Sequence, residues 1–303
     1  MAVWWGFKLE LKKGMHTKKV WAVLLIMLLL YVPLVYVLKQ GMHHGGEISG
    51  DAAMSLTIQF ITGMALFFLG ILAIVMGATA VNKEVEEGTI RVVLSKRISR
   101  LNYILGKFLG QSVVFFIAVL LAVLVALAGL AYVGVGLTGR VAGDVFLLNV
   151  ILFLVMVEFL ALGYILSTFL KSSGSALGIA LVVFFVIYLI LPIFVQYEVY
   201  THTPGNISEG GLRDMKADYY TKYLFYSPTA QAETITSYVS DEKVVQRTVN
   251  TPHGTGTYMR TITIYRGVGY AIKERWINFT LLIVMSFIYL AVAVVRFVRM
   301  DLR

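Results

Sequence analysis

Residues 82–107, NKEVEEGTIRVVLSKRISRLNYILGK, carry nine charges between two of the most apolar runs in the chain. Glu84, Glu86 and Glu87 crowd a helix end, where the helix dipole disfavours anions, so they call for cationic partners in this chain or on another protein. Gly88 then supplies the left-handed residue that ends many helices. Thr89 can cap a new short helix, TIRVVLS, whose Ile90, Val93 and Leu94 share one face. Lys96 and Arg97 form a basic turn, and Ser99 can cap the helix that leads back through Gly106 and Lys107. The chemistry offered is recognition: crowded carboxylates beside an apolar face that nothing in the chain obviously covers describe a docking element. The alternative is a helical hairpin solvated at a membrane surface.

A second candidate is Glu158, the one acidic residue in the middle of an apolar span. A charge there costs about 3 kcal/mol or more on insertion scales. It either lines a transport path, or is protonated and hydrogen-bonded to Ser, Thr or Tyr of a neighbouring helix. Gly63, Gly70 and Gly77 recur every seven residues and share a helix face, for close packing or as a groove. His43, His44, His202 and His253 match no metal-ligand template, so no metal ligand is assigned. Cysteine is absent, which removes thiol chemistry and disulfides. No G-x-x-x-x-G-K-[ST] cradles a phosphate, so no nucleotide cofactor is expected on this chain. No span carries a histidine, paired acids or a nucleophile–base pair, which argues against an intramembrane enzyme.

The elements that position these residues belong to a membrane. The chain of 303 residues is 58% hydrophobic and only 14% charged, too little polar surface to coat a soluble core. Six runs reach the roughly 20 residues that cross a bilayer: 20–38, 54–81, 108–135, 146–170, 175–197 and 276–297. The reading is an all-α integral membrane protein of six transmembrane helices. With both termini inside, fifteen basic residues fall in inner segments and only Lys39 and Arg140 in the short outer loops, as the positive-inside rule requires. The net charge of +9 therefore flanks spans and does not form a nucleic-acid face.

Residues 1–19 place Trp4, Phe7, Leu11 and Met15 on one face beside Lys8 and Lys12, the pattern of an interfacial amphipathic helix; a solvated tail is the alternative. Residues 20–197 hold spans one to five with the 82–107 loop, and 198–275 form an outer insertion of mixed α/β character. There Ser227-Pro228 opens a helix through about Val239. VVQRTV and YMRTITIY flank a turn-rich NTPHGTGT as a hairpin, and Asn206 heads a glycosylation sequon. Residues 276–303 complete the chain with span six and an inner tail.

The string Glu84-x-Glu86-x-Gly88-Thr89-Ile90, then Leu94-Ser95, Ser99-Arg100 and Ile104-Leu105-Gly106-Lys107, resembles the cytoplasmic loop of ABC-2 type ABC transporter permeases. The Ser227-Pro228 element and the ending from Arg296 to Leu302 resemble the same family, as does the topology over essentially the whole chain. Arg97 departs from it, standing where the family usually has proline. The resemblance implies a plasma-membrane permease subunit, often of an exporter, whose loop docks on a separate ATP-binding protein. By position, Glu84, Glu86, Glu87, Gly88, Thr89, Ile90 and Arg100 would belong to that coupling region. ATP and magnesium would sit on the partner, present in two copies beside a second permease chain, identical or different. A membrane subunit that signals or transmits force without transport fits the same residues.

Overall fold

Apolar runs in lipid must satisfy their own backbone groups, and helices do so within one segment. The computed structural model describes residues 7, 19–43, 50–90, 99–134, 136–205, 207–251 and 254–300. The long helices are α1 (Lys19–His43), α2 (Gly50–Ala78), α4 (Arg100–Val133), α5 (Gly139–Phe169) and α11 (Trp276–Arg299); the short α3 (Asn82–Glu86) follows α2 after one turn. Between α5 and α11, helix α6 (Ser173–Phe185) runs through a π turn (Val186–Ile190) into α7 (Leu191–His202). Among the described residues, five helical stretches are long and apolar enough to cross a membrane. The first expected span falls on α1, whose apolar stretch Trp21–Val37 is shorter. Of the expected interfacial helix only Phe7 and Lys19 are described, both helical.

The insertion holds α8 (Glu209–Tyr223), α9 (Pro228–Thr236), a hairpin of β1 (Ser240–Thr251) and β2 (Gly254–Tyr265), and α10 (Val268–Glu274). Ser227 caps α9 and Pro228 takes its first position, where the missing N–H costs nothing. The hairpin pairs Ser240 with Tyr265 through to Thr251 with Gly254, so its strands run longer than their apolar cores suggest. Helix α8 went unforeseen: Gly210 and Gly211 lower helix propensity, while the Ser208 cap, which accepts from the Gly211 amide, was the available signal. His44, His253 and Asn206 lie outside the described residues.

The core runs along α5, which packs against α2, α4, α6, α9, α10 and α11. Its seam with α2 is closest at two glycines. A Cβ on Gly77 would lie 2.3 Å from the Leu160 carbonyl oxygen, and one on Gly163 would lie 2.3 Å from that of Ile74. Gly70 faces the rings of Phe159 and Phe184, whereas Gly63 faces open space. The shared glycine face is thus divided between packing and a groove.

At the insertion end, Asp144 of α5 accepts from Tyr265 Oη and the Val268 amide, each at 2.9 Å. Arg140 donates to the carbonyls of Tyr265 and Arg266. The insertion itself is held by Arg213 and Arg275, whose guanidinium groups both lie over the Tyr238 ring at 4.2 and 4.3 Å. Burial and the Asp214 carboxylate push the Tyr238 hydroxyl up to about 12, against the pull of Arg275. Asp241 accepts from Arg213 and Arg266, each at 2.9 Å. Burial raises its carboxyl, but the two guanidiniums outweigh that and hold it below its ordinary value.

Two outcomes follow. Gly163→Val should cost more than the usual ~1–3 kcal/mol of overpacking, read as a lost monodisperse elution peak, while Gly63→Ala leaves the peak unchanged. A depressed carboxylate stabilises above its unfolded value and loses that contribution as pH falls through the folded one. Protection of the insertion from proteolysis should therefore weaken below about pH 4, and Asp241→Asn should flatten that dependence.

Candidate functional site

The end of the bundle carrying residues 82–90 and 99–100 gathers four chain segments. Helix α2 stops at Ala78, and a turn through Val81 leads into α3. The amides of Val81 and Asn82 donate to Ser167 Oγ at 2.9 and 3.2 Å, so the last turn of α5 takes over hydrogen bonds that the broken helix cannot make. Asn82 is buried and its Nδ2 reaches the Ser172 carbonyl at 3.4 Å.

The acidic residues find their partners inside the chain. Glu84 accepts from Lys107 Nζ and Tyr103 Oη of α4; the side chains of Lys107 and Glu84 are only 6% and 14% exposed. Glu86 accepts from the amide of Ser173 at 2.8 Å and from its hydroxyl. Ser173 opens α6, so this carboxylate sits where a helix dipole favours it. Glu87 remains half exposed, with Lys83 at 4.0 Å one turn away, a pair of small energetic weight.

Gly88 adopts φ = +69° with nothing within 4 Å of a Cβ position; the left-handed conformation alone selects glycine there. Thr89 is already helical and its hydroxyl donates to the Glu84 carbonyl at 3.2 Å. Ile90 is 1% exposed. This corrects the expectation of an uncovered apolar face at that residue, because the bundle core itself covers Ile90. Val93, Leu94, Lys96 and Arg97 lie outside the described residues. Ser99 caps α4, accepting from the Asn102 amide at 3.2 Å.

Arg100 lies at the start of α4 but does not face the acidic residues. Its Nη1 donates to the carbonyls of Val298 at 3.1 Å and Met300 at 2.5 Å. A guanidinium thus satisfies carbonyls at the C-terminal end of α11, where the dipole attracts cations. The ring of Tyr103 stacks on Phe297 beside it, with centroids 5.9 Å apart. The sequence pattern gave no sign of this tie, because its partners are some 200 positions apart.

Glu158 is 0% exposed. Neither carboxyl oxygen has a hydrogen-bond partner among the described residues, so the expected bond to a Ser, Thr or Tyr is not present there. Tyr289 of α11 lies within its electrostatic reach. Two cavities open nearer the insertion end. One of about 560 Å³ lies between α1 and α4, where Lys39 Nζ sits 3.7 Å over the Tyr132 ring. The other, about 520 Å³, is walled by α2, the π turn, α7 and α9. Among the described residues no three of His, Asp and Glu converge as a metal site.

Comparison with known proteins places this arrangement. Residues 4–302 match the family described as ABC-2 family transporter protein. The probable ABC transporter permease protein NosY of Pseudomonas aeruginosa is 30% identical over 191 residues, spanning 60% of this chain and 66% of that protein. Its namesake from Stutzerimonas stutzeri is 28% identical over 192 residues, spanning 62% of this chain and 67% of that protein.

If Glu84 holds Lys107 in place, Glu84→Gln removes the charge that this buried ammonium faces. The expected loss is about 3 kcal/mol of stability, read as a lowered unfolding midpoint, and Glu84→Gln with Lys107→Met should recover much of it.

Proposed function

The chain belongs to the ABC-2 family and is the membrane subunit of an ABC transporter, and from that membership we propose that it engages a separate ATP-binding subunit through the 82–107 loop. The observation that carries the reading is the division of labour among the acidic residues. Glu84 and Glu86 are tied to α4 and α6, and Arg100 to α11, so the base of the loop is bolted to three helices. Glu87 and Gly88 follow that base, Glu87 half exposed and Gly88 partly so. A rigid base with an exposed carboxylate beside it suits force transmission: displacement of Glu87 and Gly88 moves the helix ends together. Glu84, Glu86, Thr89, Ile90 and Arg100 then act as the mount, and Glu87 and Gly88 as docking residues.

ATP and magnesium belong to the partner in this reading. Two ATP-binding subunits and two membrane chains form the working unit, in the plasma membrane with both termini cytoplasmic, and the direction is export. Residues 1–19 lie along the inner leaflet, α1 supplies a sixth span, and 198–275 form the outer insertion. Glu158 is a path residue reached when α5 and α11 part.

The test is copurification with the ATP-binding subunit. Glu87→Lys should leave the chain monodisperse and weaken capture of the subunit at least tenfold, about 1.4 kcal/mol. Capture at wild-type strength with both Glu87→Lys and Gly88→Val would remove the loop tip from the docking surface.

A further inference from the structure

The cavity of about 520 Å³ beside α2 exists for identifiable reasons. Gly63 puts no side chain into it. The π turn, a wide turn often found at functional sites, swings Tyr188 across so that its hydroxyl donates to the Gly63 carbonyl at 3.1 Å. Pro192, two residues beyond the turn, lines the wall as well.

The wall has a definite hydrogen-bonding character. Thr236 Oγ1 donates to the Ala232 carbonyl at 2.9 Å and Ser237 Oγ to that of Thr234 at 2.8 Å. With Tyr188, three hydroxyls therefore have their single hydrogen committed to backbone, and what they offer an occupant is lone pairs. Thr62 Oγ1 is the exception. It lies in the same wall, its residue is 3% exposed, and the oxygen has no hydrogen-bond partner among the described residues. A hydroxyl left so in a native fold costs about 1–3 kcal/mol and marks a place for a polar visitor.

The cavity is close to neutral, because Glu233 accepts from Lys216 at 2.7 Å. Gln59 and Gln196 line it too, their amides donating to Ser55 Oγ at 3.1 Å and Tyr220 Oη at 3.3 Å, and its apolar wall is Leu66, Leu189 and Ile193. With hydroxyl lone pairs on one side and the Thr62 hydroxyl and two amides on the other, the wall suits an occupant that brings both hydrogen-bond donors and acceptors, carries no net charge and has an apolar part. A bare acyl chain satisfies none of these polar groups, and an anion would meet the Glu233 carboxylate in the same wall.

We propose that this cavity binds an uncharged amphiphile with a hydroxyl-bearing head, its head toward Thr62 and α9 and its apolar part along Leu66, Leu189 and Ile193. As a substrate class this rests on the transporter reading, whereas binding itself does not. The full chain, in phosphatidylcholine nanodiscs together with its ATP-binding subunit, is photolabelled with a diazirine-bearing octyl glucoside, and adducts are mapped by peptide mass spectrometry. Matched octyl trimethylammonium and octyl sulfate probes report the charge preference.

Adducts should concentrate on residues 59–66 and 188–196, with the glucoside exceeding either charged probe about tenfold. Thr62→Val, which keeps the shape, should reduce labelling about fivefold, the effect of one hydrogen bond. Gly63→Leu should reduce it to background; where that variant fails to elute as a single species, the isosteric Thr62→Val carries the test. Adducts spread evenly over the bundle surface, equal labelling by the charged probes, or labelling insensitive to Thr62→Val would overturn the proposal. Cocapture of the ATP-binding subunit is scored in the same sample. Labelling without the subunit overturns the transporter reading and leaves the site, while the subunit without labelling overturns the site alone.

Discussion

The contact between Gly77 and Gly163 is the constraint on which the rest of the bundle depends. With each missing Cβ replaced by a neighbour's backbone oxygen at 2.3 Å, α2 and α5 meet backbone to backbone, as small residues allow in lipid, where no hydrophobic force drives helices together. This approach sets α5 in the middle, with neighbours on every side. It also brings Ser167 under the broken end of α2, where its hydroxyl receives two stranded amides. Some 23 residues earlier on the same helix, Asp144 receives the amide that opens α10. At 1.5 Å per residue those two clasps stand about 35 Å apart on one rod. Loop end and insertion end are thereby fixed to a single rigid element.

The charged loop becomes intelligible from the same geometry. Anions at a helix C-terminus are unfavourable only while that terminus is considered alone. Glu84 and Glu86 look past it, one to the ammonium of Lys107 and the other to the amide of Ser173 at the start of α6. The dipole of α6 attracts the charge that the end of α3 repels. Arg100 does the converse, bringing a cation to the carbonyls that end α11. Three helix ends are satisfied by side chains from three other segments.

Much of this was legible in sequence, and the limits have a physical pattern. Apolar run length placed the helices at 54–81, 108–135, 146–170, 175–197 and 276–297 to within a few residues at most ends, because run length reports directly on lipid. Caps at Ser99 and Ser227 were legible because a cap acts within three residues. The hairpin was legible from its turn residues. What escaped depended on distant partners: Lys107 for Glu84, Ser173 for Glu86, and the end of α11 for Arg100. The π turn escaped too, since its sequence, Val186 to Ile190, reads as ordinary apolar helix. Ile90 illustrates the general difficulty. A face on a short helix is plainly apolar in sequence, but whether the same chain covers it is a property of the fold.

Glu158 sharpens the same point from the other side. Its position in mid-span was visible, and two roles were open to it, hydrogen-bonded strut or path residue. The strut predicts a Ser, Thr or Tyr oxygen within bonding distance, and neither carboxyl oxygen has one among the described residues. A carboxyl group sealed without a partner costs free energy that packing elsewhere must offset. The group is dispensable for the seam, because the glycine contact one turn further along α5 needs no polar support. Glu158 thereby also bears on the pairing of α5 with α11. Those two helices pack along their length, and Tyr289 on α11 already lies within reach of the carboxyl. The seam with α2 is closest where backbone meets backbone at Gly77 and Gly163.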